Sequence, residues 1–195
     1  MAKGCGDLVV LLNERWEAIG VAPRATIHHE DTPLHLAFTC YAFDAAGRFL
    51  LTRRSWAKRT WPGVWTNSCC GHPAPGEALH DAVCRRLDAE LGAVPDRLDT
   101  VLAAVRYRAV MDDGIVENEV GPVVRALLTG GLRPDPREVA ETAWVDWSDL
   151  AAANTVGVAC LSPWSTVTIT ALAALGPDPR AWPAIPALDL PGGLR

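Results

Sequence analysis

Four of the five histidines fall between positions 28 and 72: His28, His29, His35 and His72. Glu117 and Glu119 stand two apart in a run that reads as extended. Their side chains therefore point to one face of a strand. Cys70 lies just before Gly71-His72, in a turn-like context that begins at Asn67. Singly these features are ordinary. A lone His is mostly a satisfied or exposed residue, and alternate glutamates mostly mark a solvated face. Together they offer three imidazoles and two carboxylates. That mixed set suits a five- or six-coordinate divalent ion such as Mn²⁺ or Mg²⁺ better than a four-ligand structural zinc site, with Zn²⁺ still open as an occupant.

A second group of charges lies on a helix. Leu79, Val83, Leu87 and Leu91 recur at helical spacing, and Gly92 is placed to stop the helix, so Glu77–Leu91 is the clearest helix of the chain. Arg86 and Glu90 share roughly the face of Leu79 and Val83, where a buried stripe should carry no charge. An exposed i,i+4 pair is the plain reading and contributes only about 0.3 kcal/mol. The functional reading is a guanidinium and a carboxylate presented to a charged ligand.

Short strands must hold these groups in place. Leu8–Leu12 reads as one. Leu34–Phe43 and Phe49–Thr52 form a hairpin across the turn at residues 44–47. Arg53–Pro62 reads as a basic loop, Val64–Cys70 as extended, and Gly71–Gly76 as irregular. Leu98–Arg108 and Ile115–Leu128 read as strands joined by Asp112-Asp113-Gly114, and Ala143–Val145 as a further short strand. Ser148–Ala153 and Ser165–Leu175 look helical. From Gly176 onwards proline recurs, and that tail is expected to lie loose or draped on the surface. Strands around one strong helix argue for an α+β architecture.

The chain has 195 residues, suited to one domain with extensions. Its net charge of −5 argues against a general nucleic-acid or anionic-membrane surface. The longest aliphatic run, near Leu8–Leu12, is far short of the ~20 residues that span a bilayer. No secretory leader is legible, and six cysteines without a CxxC pair read as free thiols. The expectation is a cytoplasmic protein without a nucleic-acid or membrane partner, working as a monomer or weak homodimer. Eight tryptophans are a surplus over three phenylalanines. Trp16, Trp56, Trp144, Trp147 and Trp182 are read as packing residues.

Gly71, Glu77, Arg85, Glu90 and Gly92 stand in an order that resembles the Nudix box, a loop-helix-loop signature of enzymes acting on diphosphates. Arg86 and Ala89 occupy positions where the hydrolase box has Glu. A Nudix-type pyrophosphohydrolase is therefore the alternative reading, and the weaker one. Six runs resemble type I isopentenyl-diphosphate isomerase in order, over roughly residues 8–170: those at 34–38, 61–68, 70–73, 106–109, 114–119 and 162–164.

That resemblance implies a Nudix-like mixed sheet sandwiched by helices. It implies one domain over residues 1–175, followed by a Pro-rich tail over 176–195. It also implies interconversion of isopentenyl and dimethylallyl diphosphate, an allylic proton transposition in isoprenoid biosynthesis. Cys70 and Glu119 would act as the acid–base pair, assisted by Tyr107 and by the π face of Trp164. A metal site of His28, His35, His72, Glu117 and Glu119 is implied, with His29 competing for the first place. Arg54, Lys58 and Arg86 would bind the diphosphate. Glu90 would share a second ion, Mg²⁺, with that group.

Overall fold

The computed structural model describes residues 8–157 and 160–186. Cys5 and the end of the Pro-rich tail, residues 187–195, lie outside the described residues. Ten strands form one mixed sheet: β1 (Leu8–Leu12), β2 (Ala18–Pro23), β3 (His35–Leu36), β4 (Phe38–Phe43), β5 (Phe49–Arg54), β6 (Trp65–Thr66), β7 (Cys69–Gly71), β8 (Arg97–Val110), β9 (Val116–Leu127) and β10 (Val139–Val145). The main order is β10-β5-β4-β9-β3-β1-β2, with β6 on β5, β7 on β4 and β8 on β9. The β4–β9 and β3–β9 pairs are parallel. Among the described residues three α-helices complete the fold: α1 (Leu79–Leu91), α2 (Trp147–Thr155) and α3 (Pro163–Ala173).

Alternation along β4 builds a core on each side of the sheet. Phe38, Cys40 and Ala42 pack with Leu79, Val83, Leu87 and Leu91 of α1. Tyr41 and Phe43 pack with Trp147, Ile169 and Leu172 from α2 and α3. The α+β reading and the helix-covered sheet therefore hold. Gly92 ends α1 in the left-handed region at φ 56°, its N–H on the Asp88 carbonyl and the next N–H, of Ala93, on the Leu87 carbonyl. Ser162 caps α3, whose first residue is Pro163.

The strand expected over Leu34–Phe43 is two strands, interrupted at Ala37. The break lies where β9 carries Gly121. A Cβ at that position would stand 1.5 Å from the Ala37 carbonyl oxygen, so only glycine admits this close approach. β2 had no sequence signal, because it is an exposed edge strand with one neighbour and no buried alternation.

The tail differs from expectation as far as it is described. Trp182 is 3% exposed and packs edge-on against Phe43 and Trp147. Its Nε1–H donates to the Gly176 carbonyl at 3.0 Å. An indole that buries its rings and satisfies its N–H outweighs the irregularity that the prolines impose. Trp56 departs the other way: it is 66% exposed and lies over the Arg53 guanidinium at 5.0 Å. No helix among the described residues is long and apolar enough to cross a membrane.

Candidate active site

Parallel pairing of β3 with β9 sets His35 opposite Glu119. His28 arrives from the loop before β3, and His72 from the residue after β7. Their Nε2 atoms converge on one atom, Glu119 Oε1, at 3.2 Å (His28), 3.3 Å (His35) and 3.1 Å (His72). The Nδ1–H of His35 donates to the Pro33 carbonyl at 2.9 Å, so Nε2 of the neutral ring is a lone pair. That buried Nε2 makes no hydrogen bond.

A lone pair facing a carboxylate oxygen at this distance calls for a cation between them. A proton is one answer. Burial alone would lower the His35 pKa, but the Glu119 carboxylate beside it prevails and the net shift is upward. A metal ion is the other. His28, His35, His72 and Glu119 offer four ligand atoms within 4.8 Å of one another, a set that could hold such an ion. Burial pushes the His72 pKa down to about 4, which keeps its ring neutral and available as a ligand. His29 points elsewhere and accepts the Asp31 N–H at 3.1 Å.

Glu117 stands beside this group of four rather than within it. The Tyr107 hydroxyl lies 2.7 Å from Glu119 Oε2 and 3.1 Å from Glu117 Oε2. The two carboxyls are pushed apart electrostatically. Burial would raise Glu119, but the three histidines gathered around it hold it well below the usual carboxylate range. Burial and the Glu119 charge together raise Glu117.

Cys69 and Cys70 sit on β7 and face opposite ways. Cys69 is buried in the core beneath α1, whereas Cys70 lines the cavity. Burial pushes the Cys70 thiol up to about 12, so it is protonated at neutral pH. Its Sγ is 3.2 Å from Asn67 Oδ1, and the Trp164 Nε1–H donates to the same oxygen at 2.9 Å. Trp164 packs on Tyr107 and, edge-on, on Trp61, with centroids at 5.7 and 5.9 Å.

The cationic residues share the cavity. Arg54 lies over the Trp164 ring at 5.5 Å, and its guanidinium donates twice to the Thr60 carbonyl, at 3.0 and 2.8 Å. Arg86 pairs with Glu90 one helical turn on, so the charged face of α1 lines the cavity rather than a solvated edge. Gly71 makes room for it, since a Cβ there would lie 2.8 Å from Arg86 Cγ. Lys58 pairs with Glu138, which also lies 3.6 Å from Arg86. Burial and the neighbouring Glu138 raise the Glu90 pKa against the pull of Arg86 and Lys58.

One cavity of about 250 Å³ is lined by every expected site residue except His35, which lies behind its wall at 0% exposure. Sequence reasoning missed Arg24 and Thr60 on the lining, and the roles of Asn67 and Glu138. Glu138 carried no local signal. Only the β10–β5 register, with Val139 opposite Arg54, brings it beside Lys58.

The described geometry matches known proteins at two levels. The NUDIX domain family model matches residues 33–164. A crystal structure of a Deinococcus radiodurans protein aligns with a TM-score of 0.58 at 20% identity, covering 81% of this chain and 94% of that one. A MutT NUDIX hydrolase from Burkholderia pseudomallei aligns at 0.53 and 22%, covering 70% and 95%. These two likenesses concern the fold alone. Sequence similarity is much higher elsewhere. The isopentenyl-diphosphate Delta-isomerase of Saccharopolyspora erythraea is 53% identical over 185 residues, 95% of each chain. That of Mycolicibacterium vanbaalenii is 55% identical over 170 residues, 87% of this chain and 93% of the relative. Identity at this level over nearly the whole length places the chain in the isopentenyl-diphosphate Delta-isomerase family, a branch built on the NUDIX domain.

Proposed function

We propose that this chain interconverts isopentenyl and dimethylallyl diphosphate, with Cys70 and Glu119 as the two proton-exchanging groups. The observation that carries the reading is one cavity that unites a protonated thiol, an ionised carboxylate and the cationic side chains of Arg54, Lys58 and Arg86 among others. Moving the double bond requires a proton to be added to the terminal alkene carbon. A tertiary cation forms, and another proton leaves the carbon next to it. One group of the pair gives its proton while the other takes one, and the return reaction exchanges the roles. Acid–base assistance of this kind contributes about 100- to 10,000-fold.

The other residues act around that pair. Tyr107 holds the Glu119 carboxylate by its hydroxyl. Trp164 turns its π face toward the developing cation, a contribution of about 2 kcal/mol when desolvated. Arg54, Lys58 and Arg86 receive the diphosphate, and guanidinium geometry suits paired phosphate oxygens. His28, His35, His72 and Glu119 would hold one divalent ion, Mn²⁺ or Mg²⁺ with Zn²⁺ as the other candidate, with Glu117 as a further ligand. Bound there, the ion would fix Glu119 in place and lower its basicity. Glu90 would help hold a second ion, Mg²⁺, which would supply positive charge for the diphosphate. A cytoplasmic location and a monomer or weak homodimer belong to the same proposal.

The alternative of a pyrophosphohydrolase finds less support, since α1 offers Arg86 and Ala89 where that chemistry uses acids. Incubation with isopentenyl diphosphate and Mg²⁺ separates the two. Dimethylallyl diphosphate without free phosphate is expected; release of phosphate would overturn the reading.

A further inference from the structure

We infer that Asn67 is a positioning residue that sets the Cys70 thiol and the Trp164 indole together through one side-chain oxygen. The inference rests on the isomerase reading and deepens it. Asn67 is 1% exposed, on the connection between β6 and β7. Its Nδ2 donates to the Cys40 carbonyl at 3.1 Å and the Cys69 carbonyl at 2.7 Å. Both amide protons are thus spent on backbone carbonyls, which fixes the opposite atom as the oxygen. The Asn67 N–H donates to Ser165 Oγ at 2.9 Å, which ties the same residue to α3.

Four groups approach Oδ1: Trp164 Nε1 at 2.9 Å, Thr66 Oγ1 at 2.9 Å, Cys70 Sγ at 3.2 Å and Ser165 Oγ at 3.2 Å. An amide oxygen has two lone pairs, so two of the four are served. The indole N–H cannot rotate and takes one. The hydroxyls have other partners: Thr66 Oγ1 lies 2.9 Å from Ser162 Oγ and 3.1 Å from Ser165 Oγ. The second lone pair is therefore open to the thiol. A residue from β7 and one from α3 are referenced to one rigid atom, and neither can shift without losing that bond. In a reaction that needs a proton donor and a π face at fixed places about one carbon, such a common reference keeps both aligned.

The test is steady-state turnover of isopentenyl diphosphate by wild type, Asn67→Ala, Trp164→Phe and the double variant. Each single change should lower kcat on the order of 100-fold, the usual cost of about 1 Å of misplacement. KM should stay within about twofold, as expected when only transition-state alignment is lost. The double variant should be no slower than the slower single one. Losses that multiply, or a raised KM with unchanged kcat, would overturn the inference. If Asn67→Ala does not fold, indole N–H exchange in ¹⁵N-tryptophan-labelled wild type decides, with Trp164→Phe giving the assignment. A slowly exchanging Trp164 signal upholds the bond and a fast one overturns it. An inactive wild type would contradict the isomerase reading itself; an active wild type with insensitive variants would contradict only the role of Asn67.

Discussion

His35 and Glu119 are direct partners across the parallel β3–β9 pair, and Nε2 of the first lies 3.3 Å from Oε1 of the second. The donor set is therefore built into the sheet, with His28 and His72 brought to it by flanking segments. His72→Gln should reduce divalent-metal affinity by about 10- to 100-fold or more, with the fold intact. Metal content by mass spectrometry after dialysis checks this. Full retention of metal by the variant would remove His72 from the site.

The thiol of Cys70 carries a prediction about pH. Burial pushes its pKa up to about 12 from an ordinary 9.0, so the thiolate fraction at a given pH is about a thousandfold below that of a free thiol. Raising pH adds thiolate, and alkylation of Cys70 should accelerate about tenfold per pH unit through pH 10. Peptide mapping separates it from exposed Cys84 and Cys160. A plateau already reached near pH 8 would contradict the buried, protonated thiol.

Arg86→Glu would set a third carboxylate beside Glu90 and Glu138, where a guanidinium now neutralises both. KM for the diphosphate substrate should rise by at least about tenfold, since a charge-assisted contact is replaced by repulsion. Hydrolase activity should not appear, because Ala89 still lacks the acid. An unchanged KM would take Arg86 out of the phosphate site.

Trp182→Ala tests the anchored tail. Removing a buried tryptophan costs about 3–5 kcal/mol, so the urea midpoint should fall markedly. Turnover per folded molecule should be unaltered, because Trp182 packs against Phe43 and Trp147 rather than the cavity. A midpoint within error of wild type would mean that the segment does not support the core in solution.

Much of this candidate site is legible in the sequence. The spacing of Leu79, Val83, Leu87 and Leu91 set α1 to within two residues of its start, and charge on that face singled out Arg86 and Glu90. The two-residue spacing put Glu117 and Glu119 on one face of a strand. Other features exist only through long-range pairing. Glu138 becomes a neighbour of Lys58 through strand register, and β2 through hydrogen bonds at an exposed edge. Trp182 returns to the core against the sense of its proline-rich surroundings. The sequence reads it as a packing residue, but no local pattern announces the groove of Phe43 and Trp147 that receives it.

Turnover in D₂O tests the central claim most directly. Wild type incubated with isopentenyl diphosphate should place solvent deuterium at the former alkene terminus of dimethylallyl diphosphate, with no phosphate released. Cys70→Ala and Glu119→Gln should each slow that incorporation by about 100-fold or more while remaining folded. Deuterium appearing at the wild-type rate in either variant would contradict the assignment of these two residues as the proton-exchanging pair.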